Sequence, residues 1–280
     1  MPARIELPGA DLRLRADVAG PADGPPVLLI HGGGQTRSSW GRALEQLAAR
    51  GARAYAIDLR GHGESEWSPD GAYRPEDHAA DLVRIMPTLG PEPVILVGAS
   101  LGGMAALLAT PQLGDRVAGL VLVDVVPRLR IAGAERILAF MRSAPDGFAD
   151  LESAADAVSA YLPHRPRPES HDGLRRNLRQ RPDGRWVWHW DPRIVPELIA
   201  EASVPQERLD RAAAALTVPT LLLRGVLSDV VDDAGVEHLQ ELVPHLRVVD
   251  LAGAAHTAAA DDNDAFVAAV LEFVPGLRSA

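Results

Sequence analysis

A mainly parallel α/β sheet with helices on both faces is the fold class that this sequence predicts, and three observations predict it. Short runs of Val, Leu and Ile alternate with longer helical patterns. Several runs lack the polar alternation of half-exposed strands, as strands covered on both faces require. The alternation stops near Val126 and resumes near Val218, leaving one long interruption.

The candidate strands, in order, are Arg4–Leu7, Leu12–Val18, Val27–Ile30, Ala54–Ile57, Val94–Val97, Leu120–Val123, Thr220–Leu223 and Leu246–Asp250. Between them Ser39–Arg50, Pro75–Leu89, Leu101–Ala109, Val231–Leu242 and Asp264–Phe273 read as helices, with Asp261 and Asp264 available at the start of the last. Such alternation predicts parallel strands joined by helical crossovers. Residues 1–125 and 216–280 therefore form the expected core domain. The interval 126–215 holds nine prolines and expected helices near Ala134–Arg142 and Leu151–Leu162. It is too long for a simple connection, and reads as an inserted lid or small domain.

Composition narrows the chemistry. At 47% hydrophobic and 24% charged residues, the 280-residue chain can bury a large core. A net charge of −10 argues against a nucleic-acid partner or an anionic membrane surface. The absence of cysteine excludes disulfides, thiolate metal sites and cysteine nucleophiles. There is no lysine either, which excludes a Schiff base or a P-loop lysine. Met1 to Ala10 lacks the pattern of a secretory signal, so a cytoplasmic location is expected. The apolar stretch Val94–Ala109 contains Gly98, Ser100, Gly102 and Gly103 and is shorter than the ~20 residues of a membrane span. It reads as a buried strand followed by a helix.

The chemistry centres on Gly98-Ala99-Ser100-Leu101-Gly102-Gly103, directly after the strand Val94–Val97. A G-x-S-x-G between strand and helix puts the serine on a tight turn at the carboxyl edge of the sheet, where open α/β folds bind ligands. The helix that follows offers unpaired N–H groups and positive potential to a developing oxyanion. Ser100 is thus the candidate nucleophile. A second glycine run, His31-Gly32-Gly33-Gly34, ends the strand Val27–Ile30 and lets a main-chain N–H approach a reacting carbonyl. The amides of Gly33 and Leu101 are the expected oxyanion donors, and His31 is read as holding that loop.

Serine needs a base oriented by a third group. Of nine histidines, His256 lies in the small-residue loop after Leu246–Asp250 and before the last helix, and is the candidate base. His62, in Asp58-Leu59-Arg60-Gly61-His62-Gly63-Glu64-Ser65, reads as part of a structural turn. His78, His238 and His245 fall in or beside helices and are expected at the surface. Asp229, after Thr220–Leu223, is the favoured orienting acid, with Asp124, which also ends a strand, as its competitor.

On these residues the chain resembles the α/β-hydrolase superfamily over nearly its whole length: the His31 loop, the Asp58–Ser65 turn, the Ser100 elbow, Asp229 and His256 follow in the expected order. The resemblance implies an eight-stranded, mainly parallel α/β-hydrolase sheet and a mostly helical cap over residues 126–215. Ser100 argues against epoxide hydrolases and haloalkane dehalogenases, whose nucleophile is an aspartate. One departure is Ala255 before His256, where the family usually has glycine.

Trp186, Trp188 and Trp190 alternate, so an extended chain would put all three on one face. They are either an aromatic wall of the substrate pocket or the packing core of the inserted segment; Trp40 and Met104 are further pocket candidates. The expected function is a serine hydrolase that cleaves a small carboxylic ester or lactone through an acyl-enzyme, with no metal or organic cofactor. The same groups would serve an amidase or a cofactor-free perhydrolase, and a non-catalytic receptor of the same fold is the alternative of another class. The sequence leaves the substrate and the oligomeric state open.

Overall fold

The structure is a computed structural model, and its described residues are 2–163, 167, 170–202, 207–252 and 263–274. Eight strands form the main sheet: β1 (Ala3–Pro8), β2 (Arg13–Ala19), β3 (Pro26–Ile30), β4 (Arg53–Ile57), β5 (Val94–Ala99), β6 (Val117–Val123), β9 (Thr220–Gly225) and β10 (Arg247–Leu251). Their order is β1-β2-β4-β3-β5-β6-β9-β10. The hairpin β1–β2 and the β2–β4 pair are antiparallel, and the other five pairings are parallel. Each expected strand is therefore present, and the sheet is mainly parallel.

The unbroken apolar strands are explained by the two layers they separate. In β3, Leu28 and Ile30 point into one core, which α2 (Pro75–Ile85), α3 (Leu101–Leu113), α8 (Glu207–Ala214) and α9 (Asp233–Leu242) cover. Val27 and Leu29 point into the other, beneath α1 (Gly41–Ala49) and α10 (Asn263–Phe273). All five β3 residues are buried, as a period-2 strand between two helical layers must be.

Two expectations need correcting. Helix α3 runs past Ala109 to Leu113 although it contains Pro111. That proline removes only one main-chain donor, close to the helix end, and the side chains of Thr110 and Gln112 bond back to the carbonyls of Ala106 and Leu108. His78, expected at the surface, is fully buried, because it shares the inward face of α2 with Asp81, Leu82 and Ile85. His238 is mostly buried and bonds Asp210 at 2.8 Å, while His245 is exposed.

Between β6 and β9 lie α4 (Ile131–Arg142), α5 (Leu151–Tyr161), the one-turn α6 (Asp172–Arg175), a small hairpin of β7 (Leu178–Gln180) and β8 (Trp186–Trp188), α7 (Ile194–Ala202) and α8. Most of this interval packs on a third apolar cluster of its own, built on Met141, Phe148, Leu178, Trp188 and Trp190. It is tied back to the core through the Asp58–Ser65 turn. Gly63 N–H donates to His189 O at 2.9 Å, and Asp191 N–H donates to Gly61 O at 2.8 Å.

Candidate active site

Ser100 occupies the turn between β5 and α3 with φ +47° and ψ −118°, a conformation that L-residues seldom adopt. Such a residue costs about 1–3 kcal/mol and persists only where its surroundings impose it. The surroundings here are glycines. A Cβ on Gly98 would come within 2.5 Å of Gly102 O, and one on Gly102 within 2.5 Å of Ile30 O and His31 O. Ser100 N–H donates to Val123 O at 3.3 Å, which binds the turn to the end of β6.

The glycine loop after β3 lies against this turn. A Cβ on Gly32 would stand 3.2 Å from Ser100 Cβ. Its main-chain donors are apportioned: Gly32 N–H donates to Gln35 Oε1 at 3.1 Å, and Gly34 N–H to His62 Nε2 at 3.1 Å. The Gly33 N–H between them makes no such bond among the described residues. Leu101 begins α3, so its N–H has no partner within the helix.

Histidine tautomers follow from the same bonds. His62 Nε2 accepts from Gly34, so its proton sits on Nδ1, which donates to Arg60 O at 3.0 Å. His31 is held alike: Nε2 accepts from Leu59 N–H at 3.0 Å and Nδ1 donates to Gly32 O at 2.8 Å. Burial holds His31 down at about 4 and His62 at about 3, and burial also pushes His78 far below its usual range. His31 and His62 brace the loop as neutral imidazoles.

The Asp58–Ser65 turn is organised by charge. Asp58, fully buried, accepts from the main-chain N–H groups of Arg37 at 2.7 Å and Glu64 at 2.9 Å, and pairs with the Arg37 guanidinium. Arg60 makes a two-pronged pair with buried Asp81, at 2.7 and 2.8 Å. Nothing in the sequence pattern singled out either arginine.

The two candidate acids have different surroundings. Asp229 is half-buried, and its carboxylate meets Arg136 of α4 at 3.0 Å. Asp124, at the end of β6 with φ +49°, is fully buried. Its Oδ1 accepts from Gly225 N–H at 3.1 Å and its Oδ2 from the Ser228 hydroxyl at 2.6 Å. The next amide, Val226 N–H, bonds Leu251 O at 3.1 Å, so this carboxylate is held beside the ends of β9 and β10. His256 follows β10 but lies outside the described residues, as do Ala255 and Asp261.

A cavity of about 1010 Å³ opens over Ser100, Gly33 and Leu101. Trp40, Met104 and Trp188 border it; Trp186 and Trp190 do not. Trp188 stacks on Trp190 with centroids 4.8 Å apart, and Trp186 carries the Arg175 guanidinium on its face. The tryptophans thus serve mainly as a packing core, with Trp188 also facing the cavity. Met141 and Leu198, which sequence reasoning passed over, stand 3.9 and 3.5 Å from where a Gly33 Cβ would be. The i, i+4 pair Ile137 and Met141 on α4 was the available signal. Among the described residues no three His, Asp or Glu side chains gather as a metal-binding set, and no helix is long and apolar enough to cross a membrane.

Comparison with known proteins agrees with this arrangement. A family model described as the alpha/beta hydrolase fold matches residues 25–262. The esterase Rv0045c of Mycobacterium tuberculosis is 31% identical over 232 residues, covering 81% of this chain and 74% of that protein. The 2-(acetamidomethylene)succinate hydrolase of Mesorhizobium japonicum is 29% identical over 250 residues, covering 87% and 86%. A crystal structure of E-2-(acetamidomethylene)succinate hydrolase superposes with a TM-score of 0.86 at 23% identity, over 98% of this chain and 99% of that one.

Proposed function

Since the chain belongs to the α/β-hydrolase fold family, we propose that it is a serine hydrolase cleaving a carboxylic ester or lactone of a small molecule through an acyl-enzyme. The observation that carries this reading is Ser100, held at positive φ beside the Gly32–Gly34 loop on the wall of a cavity large enough for a substrate. Relatives that are themselves called an esterase and a hydrolase support it.

In the first half-reaction His256 takes the proton of the Ser100 hydroxyl as its oxygen bonds to the acyl carbon. The carbonyl oxygen gains negative charge between the N–H groups of Gly33 and Leu101. Protonated His256 then gives its proton to the departing alkoxide, and the alcohol leaves. Water repeats the sequence on the acyl-enzyme, releasing the acid and restoring Ser100. The bracing of Gly32 and Gly34 by Gln35 and His62 supports Gly33 as a donor fixed before substrate arrives.

For the orienting acid we favour Asp124 over Asp229. An orienting carboxylate must be buried and held in place, and Asp124 is fully buried and bonded by Gly225 and Ser228, whereas Asp229 is engaged by Arg136. Residues 126–215 act in this reading as a cap that shapes the acyl site.

Labelling with a fluorophosphonate probe tests the proposal. Wild type should label at one serine and Ser100→Ala should not; absence of labelling in wild type, or equal labelling of the variant, would falsify it.

A further inference from the structure

The volume over Ser100 lies at the upper end of the ~300–1,000 Å³ usual for ligand pockets. Much of its wall is hydrocarbon from the cap: Ile137, Phe140 and Met141 of α4, Val158 and Tyr161 of α5, and Leu198 of α7. This lining begins beside the reacting carbonyl. A Cβ on Gly33 would meet Leu198 Cδ1 at 3.5 Å, Leu101 Cδ2 at 3.8 Å and Met141 Sδ at 3.9 Å.

Among the described residues, the cations that border the cavity, Arg128, Arg142 and Arg176, are all exposed, and Arg128 is bonded to Asp210 at 3.3 Å. Glu135 and Glu207, also exposed, offset them. A carboxylate drawn in among Ile137, Phe140 and Val158 would lose its hydration without gaining a buried cation among the described residues, which is strongly unfavourable.

Building on the ester-hydrolase reading, we propose that the acyl group taken by this site is an uncharged aliphatic chain of about six carbons or more. A chain that ends in a carboxylate is rejected. Each methylene moved from water onto these side chains is worth about fourfold in transition-state binding. The short acetyl group leaves most of that wall untouched.

The experiment compares kcat/KM for p-nitrophenyl acetate, butyrate, hexanoate and octanoate, and for the octanedioic acid mono-ester, whose chain matches octanoate but ends in a carboxylate. The octanoate should exceed the acetate at least tenfold and the octanedioate at least tenfold. Val158→Trp and Ile137→Trp, on different cap helices, should each lower the octanoate-to-acetate ratio at least fivefold; the pair guards against one failing to fold. Acetate turned over as well as octanoate, an octanedioate ester that matches or exceeds octanoate, or an unchanged ratio in both folded variants overturns the inference. Fluorophosphonate labelling of the same preparations separates the two levels. Labelling without a chain-length preference, or without octanoate turnover, defeats the acyl assignment alone; no labelling defeats the serine-hydrolase reading beneath it.

Discussion

The Ser228 hydroxyl donates to Asp124 Oδ2 at 2.6 Å while accepting the N–H groups of Val230 and Val231, each at 3.1 Å. One side chain thus joins the loop after β9 to the carboxylate at the end of β6. Asp229, immediately after it, turns the other way toward Arg136. The loop that the sequence marks as acid-bearing therefore supplies a hydrogen-bond donor to a different acid.

The two aspartates should separate in kinetics. Asp124→Asn leaves the shape intact but presents an amide to the imidazole, and kcat should fall roughly 10⁴-fold. Asp229→Asn should stay within about threefold of wild type, and Ser228→Ala should lower kcat about tenfold. Steady-state rates on one ester decide it: a large loss in Asp229→Asn with activity retained in Asp124→Asn reverses the assignment.

His62→Phe deprives the Gly34 N–H of its acceptor in a part-buried site. Leaving such a group unsatisfied costs about 1–3 kcal/mol, to be seen in urea unfolding. The neighbouring Gly33 N–H loses its brace as well, so kcat should drop with KM nearly unchanged. A variant with normal kcat would show that Gly33 needs no such support.

Acid should weaken the fold through the same rings. His31 and His62 titrate at about 4 and about 3 when folded, against 6.5 for the unfolded chain. The unfolded state therefore binds more protons as pH falls below 6.5, and stability is lost from there down to the folded values. Between pH 7 and 5 the loss should be about 2 kcal/mol for each histidine. Denaturant midpoints at the two pH values measure it, and His62→Phe should show a shallower dependence than wild type.

The Arg60–Asp81 pair is almost wholly buried, and Asp81 also accepts from Ala10 N–H at 2.8 Å. Asp81→Ala removes the two-pronged buried partner of Arg60, leaving it the half-exposed Asp11 at 2.7 Å and Ala72 O at 3.2 Å, and should cost about 3 kcal/mol by urea unfolding. The double variant Arg60→Met, Asp81→Ala should lose clearly less than the two single losses added together. Simple additivity in that cycle would mean that the pair is not coupled.

Local order explains what could be read from the sequence. The Ser100 elbow was legible because strand, glycine turn and helix lie within about ten residues and each demands the next. The sheet was legible because double burial writes itself as unbroken Val and Leu. The choice between Asp124 and Asp229 was not, since it depends on where two carboxylates point, and the Arg136 partner lies 93 residues before Asp229. His78 was misread although its spacing with Leu82 and Ile85 marks one face of a helix. The tryptophans were half legible: an extended segment would put all three on one face, but β8 ends at Trp188, and Trp190 bridges to His62 instead.

That bridge has a mechanical consequence. The turn at Asp58–Ser65 grips the glycine loop through His62 on one side and, through Gly61 and Gly63, the main chain of His189 and Asp191 on the other. Tyr73 and Arg193 rivet the same corner, bonding Asp191 Oδ2 at 2.6 Å and Ser68 O at 2.7 Å. The interval 126–215 swinging as one rigid plate would have to tear main-chain hydrogen bonds at this corner and drag the neighbours of Gly33 with it. The corner behaves as a clamped hinge plate: moving the 126–215 interval there would strain the Gly32–Gly34 loop that lies against Ser100.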